Sequence, residues 1–358
     1  MWPRVLMVGL VAWFACGCAG QNSAASAARA RGFDKKIIWV WGPTRKTPAD
    51  AVRETDLCRS LGYNVMVIDG PPQYIKDILP IAHERKMQVW VLVSWYGEWG
   101  FPKLVPNVPK DMVQQFPPDE LAGLAKQTNP DKPVHPGPFL CFDRPEVRKY
   151  AAELAIATVQ TYHPDGLAVD WVGYRNYRAC HCAYSNQQRA RYASEHPDLS
   201  PEQAQRDYSL TSMAAVYEVV RQAAKAADPN ITIGCHVYPQ FDPEPLCGNR
   251  FAVDYPAQTT AWFFQPFWPM EKVAENARTT KATEHKYHDY VTGTGFIGMT
   301  MEKPNIKSPE RLRQEIRTIK AAGLKAICFA GDGFYADPAL AQVISEEIGG
   351  TYRAPAAK

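Results

Sequence analysis

Four carboxylates in this chain sit where an apolar run gives way to a loop. Asp170 follows GLAV, Glu302 follows GFIGMTM, Asp332 follows AICFAG, and Glu98 lies inside the aromatic stretch WYGEW. Burying a carboxylate at such a place costs free energy unless the group is paired or used. Two of them facing one cavity can divide acid–base work, one holding a proton while the other stays ionised. Asp170 is the best placed. It alternates with Ala168 and Val172, so it shares a face with a small residue that leaves room beneath it, while Val169 and Trp171 take the other face. An ion pair with Arg175 that orients the next loop is the structural alternative. The aromatic loop around Glu98 would desolvate that acid and raise its pKa.

Aromatic and polar side chains gather around the same positions. Apart from Trp2 and Trp13, the tryptophans are Trp39, Trp41, Trp90, Trp95, Trp99, Trp171, Trp262 and Trp268, all on strand-like runs or just after them. Flat indole faces cover apolar sugar C–H surfaces while nearby polar groups hold hydroxyls. Aromatics also favour strands for packing alone, and this reading carries equal weight for Trp39, Trp90 and Trp262 in mid-strand. The candidate binding residues are Trp41, Asp69, Trp95, Tyr96, Tyr174, His236, Tyr238, Gln265 and Trp268.

Something must bring these distant positions together. Strand patterns fall at residues 36–41, 63–69, 87–95, 166–172, 231–238, 260–267, 295–301 and 324–330, alternating with helical patterns. Thr47-Pro48, Ser200-Pro201, Ser308-Pro309 and Asp337-Pro338 read as N-caps followed by Pro at N1, and Asp143-Arg144-Pro145-Glu146 as a capping box. Eight strand–helix repeats over residues 35–350 predict a single-domain α/β fold, the (β/α)8 TIM barrel. A doubly wound sheet would want a glycine-rich phosphate loop after its first strand, and Trp41-Gly42-Pro43-Thr44 is not one. In the barrel, chemistry gathers at the C-terminal strand ends, where the four acids fall. The Pro-rich stretch 96–142 is too long for a plain connection and predicts a lid or a subsite wall.

The chain has 358 residues, with 40 basic and 37 acidic side chains and a net charge of +3, and no basic run or nucleic-acid-reading motif; nucleic acid is not an expected partner. Neither Gly-x-Ser-x-Gly nor His-x-x-x-His occurs, which argues against esterase or deacetylase chemistry. Residues 1–18 read as a signal peptide: Arg4, an apolar run, then small residues up to Cys18, the expected lipidation site. Residues 19–34 read as a flexible tether and 351–358 as a C-terminal tail. The expected location is outside the cytoplasm, as a periplasmic or cell-surface lipoprotein or otherwise secreted, with a membrane met only through the lipid anchor. Export permits disulfides. Cys58, Cys235 and Cys328 fall in helix or strand patterns and read as buried thiols, whereas Cys141, Cys180, Cys182 and Cys247 fall in loops and can meet.

The segment PEVRKYAAELAIATVQTYHPDGLAVDWVGYR resembles the bacterial glycosyl hydrolase-like barrels, especially the family called glycosyl hydrolase-like ten. The matching residues are Pro145-Glu146-Val147-Arg148, Asp165-Gly166, Asp170 and Trp171; beyond them only the strand–helix rhythm agrees. The resemblance implies a glycoside hydrolase acting on a poly- or oligosaccharide, with Asp170 as nucleophile or base and a second carboxyl from Glu302, Asp332 or Glu98. A carbohydrate-binding barrel lipoprotein without turnover is the alternative. Related barrels often continue with Cys-x-Cys-x-x-Cys, in some cases as a zinc knot. Here Cys180-His181-Cys182 is followed by Ser185 where the third cysteine would fall. Four zinc ligands would draw on Cys141, Cys247 or His181, and a disulfide from Cys180 or Cys182 to Cys247 is at least as good a reading. No metal and no cofactor is expected.

Overall fold

The computed structural model describes residues 32–40, 47–94, 104–107, 109–120, 139–170, 172–239, 241–300, 303–331, 334 and 337–354. The elements run β1 (Lys35–Val40), α1 (Pro48–Leu61), β2 (Val65–Ile68), α2 (Pro72–Glu84), β3 (Gln88–Val93), α3 (Pro145–Tyr162), β4 (Gly166–Val169), α4 (Ala183–Glu195) and α5 (Pro201–Ala227). They continue with β5 (Thr232–Val237), β6 (Tyr255–Ala261), α6 (Met270–Ala282), β7 (Thr294–Gly298), α7 (Pro309–Ala321), β8 (Ala326–Ala330) and α8 (Pro338–Ile348). The strands are parallel and close in chain order, with β8 returning to β1 through the pairing of Lys35 with Ala326 to Trp39 with Ala330. This is the expected (β/α)8 barrel.

Thr47, Ser200, Ser308 and Asp337 cap their helices with side-chain oxygens, each followed by Pro at the first helical position. The start of α3 differs from expectation. Its N-cap is Arg144, without a side-chain cap bond. Asp143 is instead buried, its Oδ1 accepting from Tyr174 Oη at 2.9 Å and Ser212 Oγ at 2.5 Å. A second difference concerns β6, which ends at Ala261 rather than spanning 260–267. The aromatic run that suggested a strand is the connection leaving the barrel; the real strand, YPAQTTA, is polar because its neighbours satisfy it.

The barrel interior is filled, not open. Strand pairing places Ile37, Trp39, Trp90, Ala168, Gly234, Tyr255, Ala257 and Cys328 around its axis. Trp90 lies across β4 and β5. A Cβ on Gly166 or on Gly234 would stand 2.5 Å from its indole, so both positions need glycine. A polar clamp recurs at the opposite end from the strand termini that bear the acids. Asn64 Oδ1 accepts from Lys36 N at 2.8 Å, Asp165 Oδ2 from Val89 N at 2.8 Å, and Asp254 Oδ2 from Ile233 N at 2.7 Å. Each clamp stands just before an even-numbered strand and ties it to the strand before, which fixes their register.

Candidate active site

Asp170 follows β4 directly and lies two residues past Ala168, on the barrel's inner face. Pairing of Ala168 with Gly234 brings β5 alongside, so His236 stands next to it. His236 Nδ1 is 3.4 Å from Asp170 Oδ1, and both side chains are at most 2% exposed. The imidazole is packed in an aromatic nest. Phe296 of β7 stacks on it at 3.7 Å between centroids, Tyr238 lies at 3.9 Å, and Trp39 and Phe263 each lie at 5.9 Å. Burial in that nest pushes the imidazole below its ordinary pKa, and the Asp170 carboxylate pulls it back upward.

Thr259 of β6 meets the other nitrogen of this imidazole. Its hydroxyl lies 3.1 Å from His236 Nε2 and 3.0 Å from the Val237 carbonyl. A hydroxyl has one proton to give. When it donates to Val237, Nε2–H donates to the hydroxyl, and a bare Nδ1 faces Asp170; that arrangement needs a further proton between the two. When the hydroxyl donates to Nε2, Nδ1 carries its proton towards the carboxylate. The orientation of one hydroxyl therefore decides which imidazole nitrogen carries its proton beside Asp170. Thr259 was not among the sequence candidates. Placing β6 at 255–261 would have shown it on the face of Tyr255 and Ala257.

The loop after Asp170 is held by the returning ends of the long β3–α3 connection. Val113 and Leu140 form an antiparallel bridge. Gln114 Nε2 donates to the Gly173 carbonyl at 2.9 Å, and Arg175 N–H donates to Gln114 Oε1 at 3.2 Å. Asn176 Nδ2 donates to Glu120 Oε1 at 3.1 Å. The described residues of that connection are thus docked on the β4 loop.

Of the other acids, Glu98, Glu302 and Asp332 lie outside the described residues, as do Trp41, Trp95, Tyr96 and Cys18. Five residues past Glu302 the same loop is pinned by buried Lys307, whose Nζ donates to Glu315 Oε2 of α7 at 2.7 Å. Asp69 follows β2 on the face of Val65 and Val67, which pair with the inward Ile37 and Trp39. Tyr238 is half-buried against His236.

Three candidates are placed otherwise. Tyr174 is buried outside the strand ring, against Phe142, with its hydroxyl spent on Asp143, so it offers no face to a ligand. Trp268 is buried and stacked on Trp262 at 5.3 Å between centroids, a packing role that the late placement of β6 concealed. Gln265 is exposed, four residues beyond the end of β6, with its N–H donating to Asn305 Oδ1 at 2.9 Å. Mid-strand Trp39 and Trp90 are interior packing, as the plainer reading had it.

No protein-family model matches the sequence, and no curated protein matches it. Solved structures do. The glycoside hydrolase domain of PgaB (BpsB) from Bordetella bronchiseptica is similar with a TM-score of 0.56 at 13% identity, covering 88% of this chain and 98% of that one. A β-galactosidase from Rahnella sp. R3 gives 0.56 at 12% identity, and one from Marinomonas ef1 gives 0.57 at 10%. Each covers 88% of this chain, which spans 55% and 60% of those enzymes. At such identities the likeness is one of fold: a barrel architecture also used by glycoside hydrolases.

Proposed function

We propose that the chain is an exported glycoside hydrolase that cleaves a poly- or oligosaccharide, with Asp170 as nucleophile or general base. The observation that carries this is the place of Asp170: past the C-terminal end of β4, on the inner face, 3.4 Å from a histidine that also meets the Thr259 hydroxyl. Barrel enzymes keep their chemistry at that end. The second carboxyl comes from Glu302, Asp332 or Glu98 and protonates the leaving oxygen. The glycoside hydrolase neighbours of the same fold support the class, and the leader-like residues 1–18 with Cys18 support export and lipid anchoring.

The test is turnover on a panel of bacterial and plant glycans. Asp170→Asn should fold and lose roughly 10²-fold or more in rate, the usual size of an acid–base contribution. Hydrolysis at the wild-type rate by that variant would remove Asp170 from the mechanism. The near-complete burial of Asp170 favours the second reading, a carbohydrate-binding barrel. That reading expects glycan binding that survives Asp170→Asn and no released sugar from either protein.

A further inference from the structure

The β3–α3 connection and the loop after β4 meet at three sulfurs. The Sγ atoms of Cys141, Cys180 and Cys182 all lie within 4.8 Å of one another, and all three residues are buried. Cys247 belongs elsewhere, close with Cys235 to Tyr217, so the expected disulfide from Cys180 or Cys182 to Cys247 is replaced by a different grouping. The separation of Cys141 and Cys182 is 3.8 Å. A disulfide needs about 2.05 Å. A tetrahedral ion with metal–sulfur bonds of about 2.3 Å spaces its sulfurs by about 3.8 Å.

The backbone is already arranged for negative sulfur. Gln115 N–H and Cys182 N–H both donate to Cys180 Sγ at 3.4 Å, and Ser185 N–H donates to Cys182 Sγ at 3.4 Å. Hydrogen bonds of this kind stabilise thiolates and orient metal ligands. Arg189 holds the Cys180 carbonyl from the other side.

Cys141 arrives from the β3–α3 connection to supply the third sulfur beside Cys180 and Cys182. Ser185 Oγ lies 3.3 Å from Cys141 Sγ and 3.2 Å from Cys182 Sγ, within reach of the same ion. We propose that Cys141, Cys180 and Cys182 bind one divalent cation of the zinc class as three thiolates, with an oxygen in the fourth position from Ser185 or solvent. Each thiol still carrying its proton releases it to solvent on binding, and no electron is transferred. The ion clamps the β3–α3 connection to the loop that leaves Asp170. This departs from the expectation of no metal, and it stands whether or not the barrel cleaves glycans.

The test uses the full chain, reduced with a phosphine, stripped with a chelator and titrated with Co²⁺ alone. One equivalent should give tetrahedral visible bands and a sulfur-to-cobalt charge-transfer band, both abolished by one equivalent of Zn²⁺. Counting thiolates by that band, Cys141→Ser should lose about a third of its intensity and Ser185→Cys should gain about a third, as three- and four-sulfur sets require. Cys247→Ser should leave it unchanged. Absence of the band from folded, reduced wild-type protein overturns the proposal. So does a Ser185→Cys spectrum that matches wild type, or a mass two hydrogens short in the unreduced protein with Cys141 disulfide-bonded.

Discussion

A buried imidazole beside a carboxylate makes stability depend on pH. In the fold, burial holds His236 below its ordinary pKa despite Asp170. In the unfolded chain histidine takes its proton near about pH 6.5. As pH falls below that value the unfolded chain binds more protons than the folded one, so stability falls with it. The groups facing His236 are Asp170, Thr259 and the rings of Trp39, Tyr238, Phe263 and Phe296, with the Cys235 and Cys328 thiols near Asp170. His236→Gln should therefore flatten the acid side of the stability profile, read as urea midpoints from about pH 7.5 down to about pH 5. An equal slope in both proteins would mean that the folded imidazole is not held neutral. Much of this pair was legible in sequence, since Asp170 and His236 both end strand patterns. Thr259 was not, because nothing local marks which threonine hydroxyl faces an imidazole on another strand.

Among the elements, the resemblance to the glycosyl hydrolase-like barrels separates into parts that build the fold and a part that stands at a strand end. Pro145 starts α3, and Val147 is buried. Arg148 Nε donates to the Phe142 carbonyl at 2.8 Å and its NH2 to Ser212 Oγ at 2.9 Å. Asp165 clamps Val89 and also meets His83 Nε2 at 2.8 Å. These residues stabilise; Asp170 alone of the described set follows the C-terminal end of a strand on the barrel's inner face. Asp165→Ala leaves the Val89 N–H without its acceptor at the strand start. It should lower stability by about 1–3 kcal/mol in urea unfolding, with hydrogen exchange at the start of β3 accelerated more than in β7. Gly166→Ala drives a methyl into Trp90 and should cost about 1–3 kcal/mol. Trp90→Leu in the same chain should recover part of that loss, which a backbone effect of the glycine alone would not allow. Helix starts were readable because caps are local chemistry. The boundary of β6 was not, because Gln258 and Thr259 are polar residues satisfied by other elements: Gln258 Nε2 donates to the Val237 carbonyl at 3.2 Å and to the Pro245 carbonyl at 3.1 Å.

On the scale of the whole molecule, closure joins the two ends of the barrel sequence. Besides the β8–β1 ladder, Asp34 N–H donates to the Lys325 carbonyl at 2.8 Å. The residues after α8 return to α1, where Thr351 and Tyr352 N–H both donate to the Ser60 carbonyl, at 2.7 and 2.9 Å. The stretch expected to be a free tail therefore begins as a fastening. Deleting residues 351–358 should lower stability by about 2–4 kcal/mol, through the loss of four hydrogen bonds that include Ser345 Oγ to the Tyr352 carbonyl and Ala354 N–H to Gln342 Oε1. An unchanged urea midpoint would show that closure rests on the strand ladder alone.

Sequence by itself determined the repeat. Strands read from apolar runs, helices from caps and prolines, and the closed barrel followed from eight such units, because these signals depend only on a residue and its near neighbours. The placing of Asp170 at a strand end followed as well. Tertiary structure decided what no spacing could: that His236 meets both Thr259 and Asp170, that Tyr174 turns away to Asp143, and that Cys141 rather than Cys247 joins Cys180 and Cys182. Each of these is a meeting of side chains from different elements. It depends on strand register and on the path of a long loop, and neither leaves a mark in the local order of residues.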